Sequence, residues 1–177
     1  MTTYIAFHRG INVGAYNRMK MDELRAVFES LGYDDVETYI QSGNAVFETS
    51  ESDEEALRED IHDAVEDTFG YDISVMIRTR TELQDVVAEQ PFDVPAEDGI
   101  KHYITFLNEG PTDGRVEALL NAQNEAESFV VSGREVYSEL DKDALGDGRF
   151  TDAGKILGME ATRRNWSVVT AVQELSE

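Results

Sequence analysis

The chain reads as an α+β protein: two ferredoxin-like (βαββαβ-type) halves with antiparallel sheets, packed into one compact unit. Three observations predict it. The order of apolar patterns over the first 79 residues is strand, helix, strand, strand, helix, strand. Two strand sequences recur later in the same order, YIAF at Tyr4–Phe7 as YITF at Tyr103–Phe106, and YIQSGNAVF at Tyr39–Phe47 as FVVSGREVY at Phe129–Tyr137. The chain has 177 residues, 41% of them apolar, which is enough for a shared core but short for two large domains. The halves divide at residues 1–79 and 80–177.

Tyr4–His8 is short, apolar and β-prone, and a Gly- and Asn-rich loop, Arg9–Asn17, follows it. Met21, Leu24, Phe28 and Leu31 stand at helical intervals before Gly32. Val36–Gln41 and Asn44–Thr49 form a hairpin about Ser42-Gly43. A capping box at Ser52–Glu55 opens a helix carrying Leu57, Ile61, Val65 and Phe69, closed by Gly70. Asp72–Arg78 alternates Ile73, Val75 and Ile77, as a half-buried strand does.

In the second half a helix over Thr81–Gln90 stops at Pro91 and leads to a strand at His102–Leu107. A helix at Thr112–Gln123 carries Val116, Leu119 and Leu120. Ser128–Ser132 and Arg134–Leu140 pair about Gly133, and a last helix spans Thr162–Glu174 with Trp166, Val169 and Val172. The second copy thus lacks an eighth strand, and its terminal helix closes the fold.

Charge excludes several functions. Acids number 37 against 15 bases, a formal net of −22, and only 4 of the bases are lysine. Acid spread along the whole chain suits molar salt, where a Debye length of roughly 3 Å screens the self-repulsion. Such a chain repels duplex DNA. It has no cysteine, hence no disulfide or thiolate chemistry. No apolar run reaches the roughly 18 residues of a membrane span, and no apolar leader opens the chain. The expectation is a cytoplasmic protein without membrane contact; its oligomeric state is not legible.

Three segments carry a resemblance: Arg9-Gly-Ile-Asn-Val-Gly14, Tyr39-Ile-Gln-Ser-Gly-Asn44 and the T-x-R-N-W run at Thr162–Trp166. In this combination and spacing, from Tyr4 to about Val172, the chain resembles the family called domain of unknown function 1697. The resemblance implies a compact α+β protein on ferredoxin-like elements, with no established activity. The family usually continues GGKNK after INV, whereas here Ala15 and Tyr16 stand where a Gly and a Lys are usual, which weakens an anion role for that loop. His8 stands where the family tends to an apolar residue.

Topology brings the first two motifs together. In a βαββαβ unit strands 1 and 2 run parallel, so the loop after strand 1 and the turn after strand 2 share one sheet edge. Gly10, Gly14 and Gly43 permit close backbone approach. A helix begins near Lys20, and helix N-termini favour anions. Asn12, Gln41, Ser42 and Asn44 supply neutral donors, and Arg9 a cation. Met1–Met21 holds Arg9, Arg18 and Lys20 and no acid, a cationic island in an acidic chain. The third motif adds Arg163 and Asn165. These eleven residues form the candidate site for a small anionic ligand, a nucleotide or an RNA end. The competing reading is loop architecture, since Gly and Asn are what tight turns require.

An enzyme and a protein-interaction module remain the alternatives. His8 beside Arg9 is the only acid–base candidate near the motifs. An RNA platform has no paired aromatics of the usual motif, though Tyr4, Tyr39 and Phe47 are candidates for exposure. His8, His62 and His102 lack paired-ligand spacing, so neither a metal nor a cofactor is expected. Asp141–Asp152 echoes a calcium loop, but Leu145 stands where the fifth position needs a carboxylate. The nine acids of Glu51–Asp67 read as a solvated helix face.

Overall fold

A computed structural model describes residues 1–95 and 97–177. The chain divides into two compact units, Met1–Asp85 with Ala171–Glu177, and Val86–Thr170. Each contains one four-stranded antiparallel sheet with helices.

The first unit runs β1 (Thr2–His8), α1 (Met21–Ser30), β2 (Asp34–Tyr39), β3 (Asn44–Thr49), α2 (Glu54–Phe69) and β4 (Val75–Thr79), with α3 (Arg80–Ala88) following. The sheet order is β2-β3-β1-β4, every neighbouring pair antiparallel. Central β1 pairs with β3 from Thr2–Thr49 to Phe7–Asn44. It is buried from Thr3 to His8, which is why it reads as an unbroken apolar run and not an alternation. Helix α1 turns Met21, Leu24, Val27 and Phe28 inward, and α2 turns Leu57, Ile61 and Val65. Phe47 on β3 centres this core: Tyr33 stacks on it at 4.7 Å and Phe28 meets it edge-on at 5.2 Å.

Local chemistry moves some boundaries. The cap of α2 is Asp53, one residue beyond the expected Ser52, and its carboxylate accepts from the Glu55 and Ala56 amides. The Glu51 carboxylate already accepts from the Ser52 and Asp53 amides, so the helix can begin only after them. Strand β4 begins at Val75, not Asp72, because Val75 lies opposite His8, where β1 ends. Strand β2 ends at Tyr39, because Ile40 takes a left-handed φ of 49° and starts the turn.

The second unit runs β5 (Ile100–Leu107), α4 (Asp113–Asn121), β6 (Glu127–Ser132), β7 (Glu135–Asp141), α5 (Lys142–Leu145), α6 (Ala153–Leu157) and β8 (Ala161–Asn165), and α7 (Trp166–Leu175) begins in it. The order β6-β7-β5-β8 repeats that of the first sheet, element for element. Leu107, Leu119, Phe129, Val136, Ala153 and Leu157 form one buried apolar cluster in it.

One expectation is overturned here. An eighth strand exists: Ala161–Asn165 pairs antiparallel with β5, Ile104 opposite Arg164 and Thr105 opposite Arg163, and the helix starts only at Trp166. The inward positions of β8 are Thr162 and Arg164, 5% and 6% exposed, so polar residues fill the places where an apolar alternation would have marked a strand. Two carboxylates of the calcium-like run are helix caps: Asp141 caps α5 and Asp152 caps α6.

Candidate functional site

Strands β1 and β2 both run antiparallel to β3, hence parallel to each other, and the loops that leave them meet. The junction is made of backbone first. The His8 amide donates to Gly43 O at 3.0 Å, and the His8 ring places Nδ1 3.1 Å from the same oxygen, so Nδ1 carries the proton. Gly43 has φ 86°, and a Cβ there would run into the Ile11 side chain and lie 3.0 Å from His8 Cβ. Only glycine fits.

Asn12 joins the two motifs. Its Nδ2 donates to Gln41 O at 2.7 Å, while its Oδ1 accepts from the Met19 amide at 2.9 Å, just ahead of α1. Asn12 and Asn17 both sit in the left-handed region, at φ 53° and 49°, which Asn tolerates better than most residues. Asn17 Nδ2 donates to Gly10 O, and Arg18 Nη1 to Gly14 O. Asn44 is 1% exposed and donates through Nδ2 to Tyr39 O and Ser42 Oγ. Much of the amide chemistry expected to face a ligand is therefore employed in shaping the loops.

What remains open is a groove of about 330 Å³ lined by Asn12, Arg18, Met19, Lys20, Glu23 and Gln41. Asn12, Lys20 and Gln41 are candidate residues of the sequence reading. Arg18 and Glu23 are additions, and the acid-free run of Met1–Met21 was the signal for Arg18. Gly43 and Asn44 lie buried beneath the turn, while Arg9, Gly10 and Gly14 are exposed on the loop above it. Lys20 holds the cap position of α1 with no side chain bonding the first-turn amides.

Arg163 and Asn165 belong to the second unit, on β8. The Arg163 guanidinium lies 3.9 Å from the Tyr103 ring centroid and 3.7 Å from that of Phe150. Desolvation there lowers its pKa. Of the three RNA-platform candidates, Tyr4 and Phe47 are 4% and 0% exposed and fail on burial, while Tyr39 is half-buried.

Tertiary structure also builds a cluster that spacing concealed. His62 on α2 holds Asp72 at Nε2 (2.6 Å) and Asp63 at Nδ1 (3.1 Å), with Glu66 one turn along the helix. Hydrogen bonds to Asp72 and then Asp63 raise the imidazole pKa, which favours its charged form.

Fold and junction together define a class: a protein of two ferredoxin-like halves in which a glycine-rich loop after the first strand is stapled to the turn before the third. The chain belongs to the family described as protein of unknown function (DUF1697), whose pattern matches residues 1–137. No curated protein matches it. Among solved structures it is similar to the conserved bacterial protein SP0830 from Streptococcus pneumoniae, at 21% identity and a TM-score of 0.78, covering 99% of this chain and 98% of that one. That likeness is one of fold. No helix among the described residues is long and apolar enough to cross a membrane.

Proposed function

We propose that the groove beside Asn12 binds a small anionic ligand of the size of a nucleotide or an RNA end. One observation carries the reading: in a chain of net charge −22, residues 1–21 hold three bases and no acid, and two of them, Arg18 and Lys20, line the groove. Two cations against the single carboxylate of Glu23 leave the groove with a positive surplus, an electrostatic focus for an anion. The start of α1 adds amide dipoles of the same sense. The test is calorimetric titration with adenosine monophosphate, native chain against R18Q/K20Q. Each lost charge-assisted hydrogen bond costs about 1.5–3 kcal/mol, so the double variant should bind at least tenfold more weakly. An isotherm unchanged in both affinity and stoichiometry rejects the reading.

Val13 and Tyr16, 58% and 77% exposed at the tip of the same loop, favour a second reading, a protein-interaction module. The surplus acid supports a setting of molar salt, and the cytoplasm of a salt-accumulating cell is the compartment such a surface suits. The repeated strand order, with the YIAF and YITF matches inside it, supports origin by internal duplication.

A further inference from the structure

The second unit contains a cavity of about 330 Å³ whose lining includes Lys101, Tyr103, Lys142, Asn165, Trp166 and Ser167, and no carboxylate. The geometry points to a second, separate anion site here, one that takes a small phosphate monoester with a ring attached, the class of a nucleoside monophosphate.

The case begins with the lysines. The chain has four, and two of them line this one cavity. Pairing of β5 with β7 sets Lys101 opposite Leu140, and the Lys142 amide donates to Gly99 O at 2.9 Å, which draws the start of α5 to the start of β5. Among the described residues neither ammonium group forms an ion pair, although acids outnumber bases 37 to 15. Of the carboxylates nearby, that of Asp143 lies against Gly99, and two others are already engaged. Asp141 accepts from the Asp143 and Ala144 amides, and Glu139 lies 2.9 Å from His102 Nε2. Two lysines lining one space repel each other until an anion enters, and lysine serves as a point charge for phosphate.

Size and walls narrow the class. The volume lies at the lower end of the roughly 300–1,000 Å³ typical of small-molecule sites. Ser167 and Asn165 provide short polar groups, and Trp166 is a half-buried ring at the wall. An aromatic wall beside paired cations suits a flat ring joined to a phosphate. This site shares no residue with the groove beside Asn12, so neither depends on the other.

Trp166 is the only tryptophan in the chain and reports on this cavity directly. Its fluorescence is followed while adenosine monophosphate is added, with adenosine as the uncharged control, at the lowest salt that keeps the chain folded by circular dichroism. The expected result is a saturable change with the monophosphate and none with adenosine. K101Q/K142Q should move the midpoint at least tenfold; both lysines are exposed, so the variant keeps its fold, checked by the same dichroism. R18Q/K20Q should leave the midpoint in place. No saturable change, an unaltered midpoint in K101Q/K142Q, or a signal abolished by R18Q/K20Q overturns the proposal; only the last of these assigns binding to the other groove.

Discussion

Arg78 and Arg164 occupy the same position in their two sheets. Arg78 on β4 lies opposite Ile5, and Arg164 on β8 lies opposite Ile104, the matching isoleucine of YIAF and YITF. They are 1% and 6% exposed, and each donates through Nη1 to the carbonyl of the residue before it. Burial pulls the Arg164 pKa down to about 10. An arginine held this way packs by its stem as well as by its charge. Arg164→Ala should therefore destabilise by about 2–5 kcal/mol, the range of large-to-small changes at buried sites. Urea unfolding measures it, and a loss under about 0.5 kcal/mol, the scale of a surface change, would contradict the assignment of β8.

Gly43→Ala tests the junction of the two loops. The substitution meets both a φ of 86° and the side chains of Ile11 and His8, so it should cost more than the ~1 kcal/mol typical of a glycine change alone. Arg9→Ala, at an exposed position on the same loop, should lower the melting temperature less. The reverse ranking would show that Arg9, not the glycine, holds the junction.

Stability should fall across the titration of His62. Its pKa is raised in the folded chain, so its contribution is complete below about pH 6.5, the unfolded value, and is lost as pH rises through the folded value. His62→Asn should flatten that part of the stability profile between pH 6 and 8, roughly the window of histidine titration. An unchanged slope would mean the Asp72 contact does not persist in solution.

Tyr33 is one of three buried phenols, with Tyr4 and Tyr137, whose raised pKa adds to the alkaline loss. Desolvation, ahead of the nearby Asp60 and Glu51 charges, lifts its phenol from 10 to about 12. Its neutral form is favoured by folding, so this stability is present below pH 10 and drains away as pH climbs from 10 towards 12. Tyr33→Phe keeps the stack on Phe47 and should remove part of the alkaline loss, seen by dichroism over that range.

Salt supplies the broadest prediction. If the acids repel one another in dilute buffer, the melting temperature should climb steeply towards molar potassium chloride. A flat response would leave ordinary acidity as the whole account.

Some of this was legible along the chain because local physics decides it. Leu57, Ile61 and Val65 recur at helical spacing whatever surrounds them, and YIAF and YITF announce central strands by apolar content. From these the order β2-β3-β1-β4 follows by the rule that crossovers return parallel. The same rule brings the RGINVG loop to the YIQSGN turn.

Tertiary structure decided what depends on a partner distant in sequence. Strand β8 exists because β5 presents a free edge to Ala161–Asn165; nothing in T-R-R-N alternates in hydropathy, since the inward side chains are Thr162 and Arg164. Asn12 and Asn44 have the composition of ligand donors, but bonds to Gln41, Met19 and Tyr39 turn them into struts. His62 and Asp72 lie ten residues apart and meet only because α2 ends at Gly70 and the chain turns back. Lys101 and Lys142 share a cavity through the pairing of β5 with β7. Composition settles what a chain can bury and what it repels; which polar groups are used up in the fold, and which are left facing a ligand, is settled by long-range hydrogen bonding that no local pattern encodes.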